Sequence, residues 1–144
     1  MLDLNELERA ILELTLAGDD PVLRILRDQL SAATITSREM TGAGFYTGFA
    51  VPDQIERVPR KNFDIGDVCA EINGLAHGAG FVLFVRNGMV SWLEGFTYGE
   101  EGWPDVAVLT ESYYVHHEPP DSPMLRRCNA RDLDQLRQQF SSSN

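Results

Sequence analysis

The sequence contains no long hydrophobic run. Its longest uninterrupted apolar stretch covers residues 81–85, FVLFV, whereas a transmembrane helix needs roughly 20 consecutive apolar residues. Residues 1–10 are acidic, although a secretory signal would begin with basic residues ahead of an apolar core. We therefore expect a cytoplasmic protein that does not associate with membranes.

Cysteines and metal-binding patterns are also scarce. The chain has two cysteines, Cys69 and Cys128, and three histidines, and none of them shows the short spacing of a zinc site. Two cysteines in a chain without an export signal are more typical of free thiols than of a disulfide. The nucleotide-binding patterns GxGxxG and GxxxxGK are absent as well. The sequence therefore predicts no metal and no cofactor.

Basic residues are almost absent from the middle of the chain. Residues 63–121 contain ten acidic residues and a single basic one, Arg86, within a net charge of -10. Such an acidic field repels nucleic-acid phosphates and attracts basic surfaces. We therefore expect no nucleic-acid partner and favour a basic protein partner. Solubility alone explains the charge equally well, and the sequence does not separate the two explanations.

The residues that are present predict a domain that starts with two helices. Apolar residues recur every three or four positions in the first part of the chain, which places them on one stripe of a helix. Asp3 followed by Glu6 predicts the start of the first helix, and Gly18 predicts its end. Asp20 and Pro21 predict the start of the second helix. Because the turn between the helices is short, we expect an antiparallel helical hairpin.

After residue 31 the apolar period changes to two, which is typical of strands. Predicted strands cover residues 33–41, 45–51, 65–73 and 106–117, together with the two arms of a hairpin on either side of residues 87–88. Residues 52–64 predict a surface loop, and Pro119, Pro120 and Pro123 predict a break in the chain. Asn129 and Asp132 as cap signals, together with the apolar stripe in residues 129–140, predict a final helix. The prediction is therefore one α+β domain over residues 1–144. It has an N-terminal helical hairpin, a mostly antiparallel sheet of about five or six strands with helices on one face, and a C-terminal helix.

Asn87-Gly88 gives the firmest geometry, because Asn-Gly between two strand-like runs is typical of a two-residue hairpin turn. Counting outward from this turn places Phe81 opposite Glu94. The predicted strand of residues 65–73 pairs with the other edge of the strand that contains Phe81. In that pairing Glu71 also lies opposite Phe81. All three side chains share one face of the sheet in this register, and that face is both apolar and acidic. The other face is predicted to pack against the helices through Val68, Ala70, Ile72, Val82, Phe84, Met89 and Leu93.

An aromatic row that contains a carboxylate is the most distinctive feature of the predicted sheet. Alternate positions of the segment SWLEGFTY are Trp, Glu, Phe and Tyr, so their side chains point to the same side of a strand. Aromatic residues are over-represented at binding hot spots. We predict a protein-binding surface formed by Phe81, Trp92, Glu94, Phe96, Tyr98 and Trp103. Its partner is a basic protein, such as a toxin that the chain inhibits, or a second copy of the chain. Core packing is the alternative role for most of these aromatic residues.

The same register supports a second hypothesis, in which the protein is a small hydrolase or lyase. Glu94 and Glu71 flank Phe81 and lie about 10 Å apart, since two interstrand spacings separate them. Paired carboxylates can act as general acid and general base, and this spacing is near the upper limit for inverting glycosidases. A structural role is the alternative, in which each glutamate pairs with an arginine or faces solvent.

The segment of residues 77–104, HGAGFVLFVRNGMVSWLEGFTYGEEGWP, combines a glycine-rich turn, a hairpin, an LEGxTY sequence and a Trp-Pro pair. In these features it resembles a family of small uncharacterised bacterial proteins. The resemblance spans about a fifth of the chain, and the family has no established activity. It implies a stand-alone bacterial domain, is compatible with an immunity-type or other binding role, and assigns no catalytic residue.

Overall fold

A computed structural model of the chain describes residues 3–117 and 124–141, which form an α+β fold. The helices are α1 (Glu6–Thr15), α2 (Pro21–Ala32) and α3 (Leu133–Ser141). The strands are β1 (Thr34–Met40), β2 (Gly44–Ala50), β3 (Phe63–Ile72), β4 (Ala79–Arg86), β5 (Met89–Thr97), β6 (Leu109–His117) and β7 (Leu125–Cys128). The strands form one sheet in the order β1-β2-β5-β4-β3-β6-β7, and all neighbours are antiparallel. The predicted fold class is confirmed, but the sheet has seven strands instead of five or six.

Helix α1 starts two residues later than the sequence pattern predicts. Asn5 accepts a hydrogen bond from the backbone of Glu8 at 2.8 Å, and the Glu8 carboxylate accepts one from the backbone of Asn5 at 2.9 Å. This reciprocal pair is a capping box, which satisfies two backbone donors that the helix itself leaves free. The predicted capping pair, Asp3 and Glu6, has the same spacing and is wrong. Glu8 is preferred because its side chain also pairs with Arg38 of β1.

Helix α2 begins as predicted. The Asp20 carboxylate accepts hydrogen bonds from the backbone of Val22 at 2.8 Å and of Leu23 at 3.4 Å, and Pro21 occupies the first helical position. Proline is favoured there because its missing N–H has no acceptor within the helix. Both helices bury one apolar stripe, and the most deeply buried members are Ile11, Leu12, Leu23 and Leu26. The predicted helical hairpin is therefore confirmed.

All three helices pack on the same face of the sheet, which we call the helix side. The Tyr114 hydroxyl of β6 donates a hydrogen bond to the backbone of α1 at 2.7 Å. The Gln29 amide of α2 accepts one from the backbone of Val90 at 2.9 Å. Phe140 of α3 packs on Phe63 of β3 with ring centroids 5.1 Å apart. The other face of the sheet is covered by no helix in the described part of the chain.

The predicted two-residue turn is present between β4 and β5. Asn87 and Gly88 both have positive φ, 55° and 74°, which the tight hairpin turn requires. The Gln29 side chain also anchors this turn, because its amide donates to the Gly88 carbonyl at 2.8 Å.

The predicted register between β4 and β5 is wrong beyond the first two residue pairs. A β-bulge leaves Ser91 without a partner, so every later residue of β5 pairs one position away from the expected one. Phe81 lies opposite Gly95, and Glu94 lies opposite Val82. Because opposite residues point to the same side of a sheet, Phe81 and Glu94 are on different faces.

The bulge has a clear packing reason. Val90 and Leu93 are three residues apart, so strict alternation would point them to opposite faces. One extra residue between them lets both side chains reach the helix side, where their exposed fractions are 1% and 0%.

The register between β3 and β4 also differs from the prediction. Val68, and not Glu71, lies opposite Phe81, and a second irregularity occurs between Ile65 and Val68. Phe81 therefore points to the helix side together with Val68 and is only 2% exposed.

The observed β4–β5 and β3–β4 registers change which residues lie on each face of the sheet. The central strands contribute Phe63, Ile65, Val68, Ala70, Ile72, Phe81, Leu83, Val85, Val90 and Leu93 to the helix side. Val68, Ala70, Ile72 and Leu93 were predicted there. Val82, Phe84 and Met89 were also predicted there, but they lie on the opposite face.

The last part of the chain follows the prediction only in outline. Strand β6 begins at Leu109 and not at residue 106, and the short strand β7 was not predicted. Helix α3 starts after Asp132, whose carboxylate accepts a hydrogen bond from the backbone of Gln135 at 3.1 Å, so this predicted cap is confirmed. The predicted proline-rich break falls mostly on residues 118–123, outside the described residues.

Two smaller findings concern the membrane and the cysteines. Within residues 3–117 and 124–141, no helix combines the length and the apolar character needed to cross a membrane. Cys69 and Cys128 are both free thiols, as predicted.

Candidate functional site

The face of the sheet opposite the helices is the candidate functional site, and we call it the open face. Its aromatic and other apolar side chains include Tyr46, Val82, Phe84, Met89, Trp92, Phe96, Tyr98 and Tyr113. Each of them is partly or largely exposed, including Tyr46 at 37% and Tyr98 at 47%. An apolar surface of this kind, which no helix within residues 3–117 and 124–141 covers, is typical of an interaction site.

Four of the six residues predicted to bind a partner lie together on the open face. Trp92, Glu94 and Phe96 alternate along β5, and Tyr98 follows them. Phe81 and Trp103 do not join them. The ring of Trp103 packs on Phe81 at 6.4 Å, and also on Phe45 at 5.4 Å, both of which are core residues on the helix side.

One cluster on the open face is built around Arg86. Its guanidinium carbon lies 5.3 Å from the Phe84 ring centre and 5.4 Å from that of Trp92, and the two rings stack at 4.7 Å. The same guanidinium forms an ion pair with Asp64 at 2.8 Å. Arg86 therefore combines aromatic stacking with a carboxylate contact, which suits the planar shape of its guanidinium.

A second cluster of the same kind is built around Arg127 of β7. Its guanidinium carbon lies 3.8 Å from the Tyr113 ring centre. Its nitrogens pair with Glu71 at 3.3 Å and with Glu111 at 2.8 Å. All four residues lie on β3, β6 and β7, at the opposite end of the open face from β1.

A third group is a row across β1, β2 and β5 formed by Glu39, Tyr46 and Glu94. Tyr46 lies opposite Glu39 on one side and opposite Glu94 on the other. The neighbouring Glu94 side chain is the main cause that raises the pKa of Tyr46. Unlike the two arginine clusters, this row has no arginine, lysine or histidine paired with either carboxylate among the described residues.

Cys69 lies beneath the end of the aromatic row. Its sulfur is 3.0 Å from the Tyr98 hydroxyl oxygen, and Tyr98 packs edge-on against Phe96 at 5.4 Å. Burial is the main cause that raises the pKa of the Cys69 thiol, and burial of the hydroxyl together with this contact raises the pKa of Tyr98. Both groups therefore stay protonated at neutral pH, which makes Cys69 a poor nucleophile.

The two glutamates of the predicted acid/base pair are not close together. Glu94 of β5 lies opposite Val82 of β4. Glu71 of β3 is one residue past Ala70, and Ala70 lies opposite Ala79 of β4. Four residues along β4 and two interstrand spacings separate their α-carbons by roughly 16 Å. The predicted spacing of about 10 Å is therefore wrong, because it rested on the incorrect register. The Glu71 carboxylate is also held by Arg127.

Charge on the open face is predominantly negative. Its acidic side chains are Glu39, Asp64, Glu71, Glu94 and Glu111, and its basic side chains are Arg86 and Arg127. Each arginine already pairs with at least one of these carboxylates. Among the described residues of this face, the unpaired negative charge is concentrated at Glu39 and Glu94.

Some residues of the open face were not recognised from the sequence. Alternation along β2 could have identified Tyr46. If Phe45 and Phe49 point into the core, Tyr46 must point to the opposite face. Val82 and Phe84 could not be identified in this way, because their placement depends on the bulge at Ser91.

The described residues, 3–117 with 124–141, contain no group of three or more His, Cys, Asp or Glu side chains arranged to hold a metal ion. Comparison of the chain with protein-family models, with curated proteins and with solved structures found no match. The functional interpretation therefore depends on the geometry and charge of the open face.

Proposed function

We propose that this protein is a non-enzymatic binding domain that docks a basic protein on the open face of its sheet. The observation that carries the proposal is the combination of exposed aromatic side chains and excess negative charge on a face that no helix covers in the described part of the chain. Aromatic residues are enriched among the few residues that supply most of the binding energy at protein interfaces, and charge complementarity accelerates association.

The size of the open face supports this function. Seven strands have six interstrand spacings of about 4.8 Å, and a strand length of roughly 25 Å gives a face of about 700 Å². A standard protein–protein interface buries about 800 Å² on each partner. The open face is therefore large enough for a specific complex.

The charge of the open face favours a basic partner over a second copy of the chain. Two copies that met through this face would bring together two surfaces that each have an excess of negative charge. Like charges in an interface cost several kcal/mol, whereas lysines and arginines of a basic partner would neutralise them. Inhibition of a basic toxin, as an immunity protein performs it, is one form of the proposed function.

Site-specific photo-crosslinking tests the proposal. One protein carries p-benzoylphenylalanine at position 98, where Tyr98 is exposed on the open face. The matched control carries it at position 13, where Glu13 is exposed on α1 at the other side of the molecule. Both are irradiated in extract of the native host, and the crosslinked proteins and their crosslinked peptides are identified by mass spectrometry.

We expect position 98, but not position 13, to crosslink one dominant protein with a basic contact peptide. The yield should fall as the salt concentration is raised from roughly 0.05 M to roughly 0.5 M, because screening weakens charge complementarity. Crosslinks between two copies of the chain, equal yields from both positions, or no crosslink at position 98 would each contradict the proposal.

A further inference from the structure

The open face already uses the same chemistry twice within its own chain. Arg86 lies over Phe84 and Trp92 and pairs with Asp64, and Arg127 lies over Tyr113 and pairs with two glutamates. In both clusters an arginine stacks on an aromatic ring while its nitrogens contact a carboxylate. This arrangement suits guanidinium, which offers a planar face and several N–H donors at once.

The row Glu39–Tyr46–Glu94 has the other two components of such a cluster but not the arginine. Its ring is Tyr46, and its carboxylates stand on the two neighbouring strands, so their α-carbons are about 10 Å apart across the ring. Trp92 and Phe96 lie two residues to either side of Glu94 on β5 and add aromatic walls. No basic side chain of the described residues pairs with either carboxylate.

We infer that this row is a receptor for an arginine side chain of the docked partner, with the guanidinium lying over the Tyr46 ring between Glu39 and Glu94. The inference rests on the proposed function, because it names the contact that the partner makes at the centre of the negative charge. The pairing of β1, β2 and β5 places Glu39, Tyr46 and Glu94 side by side in one row. The ring and the two acidic residues are therefore brought together by the sheet before the partner arrives, which reduces the entropy lost on binding.

Arginine fits this row better than lysine. The ammonium of lysine is a compact, strongly hydrated charge that contacts one carboxylate at a time, whereas guanidinium is weakly hydrated and bridges two acceptors. The two cations that the chain itself places on aromatic rings of this face are both arginines.

A small-molecule titration tests the inference without the partner. The probe is N-acetyl-argininamide, and its controls are N-acetyl-citrullinamide, which is neutral and nearly the same shape, and N-acetyl-lysinamide. Binding is followed by NMR of the ¹⁵N-labelled protein. The chain has two tryptophans, so the Trp92 indole reports on the open face and the Trp103 indole reports on the core.

We expect argininamide to shift the Trp92 indole and the amides of Tyr46 and Glu94 in a saturable way, with a dissociation constant on the order of 1 mM for a ligand of this size. Citrullinamide should bind at least about tenfold more weakly, because it lacks the charge, and lysinamide several-fold more weakly. The Trp103 indole should not move.

Two variants locate the site. Glu94→Gln and Glu39→Gln should each weaken argininamide binding by about fivefold or more, since each removes one charged acceptor. The matched control Glu13→Gln removes the same charge from exposed α1 and should change binding by less than about twofold. An unshifted Trp103 indole verifies that each variant is folded.

Several results would overturn the inference. They are the absence of saturable shifts, equal affinity for citrullinamide, equal weakening by Glu13→Gln, and shifts confined to residues around Arg127. The inference and the proposed function also fail separately. A basic protein crosslinked from position 98 without argininamide binding leaves the docking function standing and removes the arginine receptor. Argininamide binding without any crosslinked partner keeps an arginine-binding row but removes the docking function, and with it the partner protein as the source of the arginine.

Discussion

The helix side and the open face of the sheet both contain arginine–carboxylate pairs, but they bury them to different extents. On the helix side, the Glu8 side chain is 0% exposed, and it accepts hydrogen bonds from Arg38 at 2.9 Å and from Thr47. On the open face, Asp64 keeps 47% of its side chain exposed beside Arg86. The buried pair joins α1 to β1 and β2, whereas the exposed pair joins two strands that are already paired.

This difference separates residues that hold the fold from residues that are available for recognition. Removal of one partner from a buried ion pair leaves an uncompensated charge and costs several kcal/mol, but exposed pairs contribute at most about 1 kcal/mol each. The open face can therefore change its charged side chains with little effect on stability, which is what a surface adapted to a partner requires. Three comparisons test the contrast, each led by one substitution, in order of the decreasing effect of that substitution.

The largest effect is expected for Glu8→Gln. The variant leaves Arg38 partly buried without its carboxylate, so we expect the free energy of unfolding to fall by about 3–5 kcal/mol. Urea unfolding followed by circular dichroism measures this change. Glu6→Gln is the matched control, because Glu6 is exposed in the same first turn and its loss should cost less than about 1 kcal/mol. A similar cost for both variants would contradict the contrast.

The same carboxylate predicts how stability depends on pH. Burial alone would raise the pKa of Glu8, but the hydrogen bonds from Arg38, Thr47 and the Asn5 backbone outweigh burial and lower it. A carboxylate with a lowered pKa in the folded state contributes its full stability above the ordinary pKa of about 4.3. That contribution is lost as the pH falls through the lowered pKa. The stability of Glu8→Gln should therefore decline less steeply than that of the wild type below about pH 4.3.

An intermediate effect is expected from two neighbours on β5 that point to opposite sides. Leu93 is 0% exposed, so Leu93→Ala should lower the free energy of unfolding by about 2–5 kcal/mol. Glu94 is half-buried on the open face, and Glu94→Ala should change stability by less than about 0.5 kcal/mol. Thermal unfolding of both variants compares the two sides directly. If Glu94→Ala proves the more damaging of the two, the pairing of Leu93 with Leu83 and of Glu94 with Val82 is incorrect.

The features that the sequence predicts well are those determined within a few neighbouring residues. Asp20 with Pro21 starts α2 and Asn87-Gly88 forms the turn, because the side-chain and backbone requirements of caps and turns are local. The grouping of Trp92, Glu94 and Phe96 on one face was also predictable, since it needs only alternation within a single strand.

The features that the sequence does not predict depend on pairing between distant segments. The bulge at Ser91 has no local signature and exists because Val90 and Leu93 must both reach the core formed by other strands. The prediction therefore placed Phe81 on the wrong face. Similarly, Tyr46 meets Glu94 only because β2 pairs with β5, and no pattern within either strand indicates that pairing.

Of the three substitutions that lead these comparisons, Arg86→Gln is expected to have the smallest effect. Its ion pair with Asp64 is partly exposed, so we expect a loss of stability of about 0.2–1 kcal/mol. The fluorescence of Trp92 should change nonetheless, because the cation leaves the ring that it stacks on. Arg38→Gln, on the helix side, is the comparison and should cost several times as much. Equal losses would show that burial does not distinguish the two pairs.

The unpaired serine of β5 also constrains how this protein can evolve. Loss of that single codon would leave the flanking valine and leucine two positions apart, so simple alternation would keep both in the interior and the glutamate outside. Loss of a codon farther along the strand would instead turn the residues after it to the other side of the sheet. Homologous lineages should therefore tolerate removal of the serine better than removal of a residue near the end of the strand.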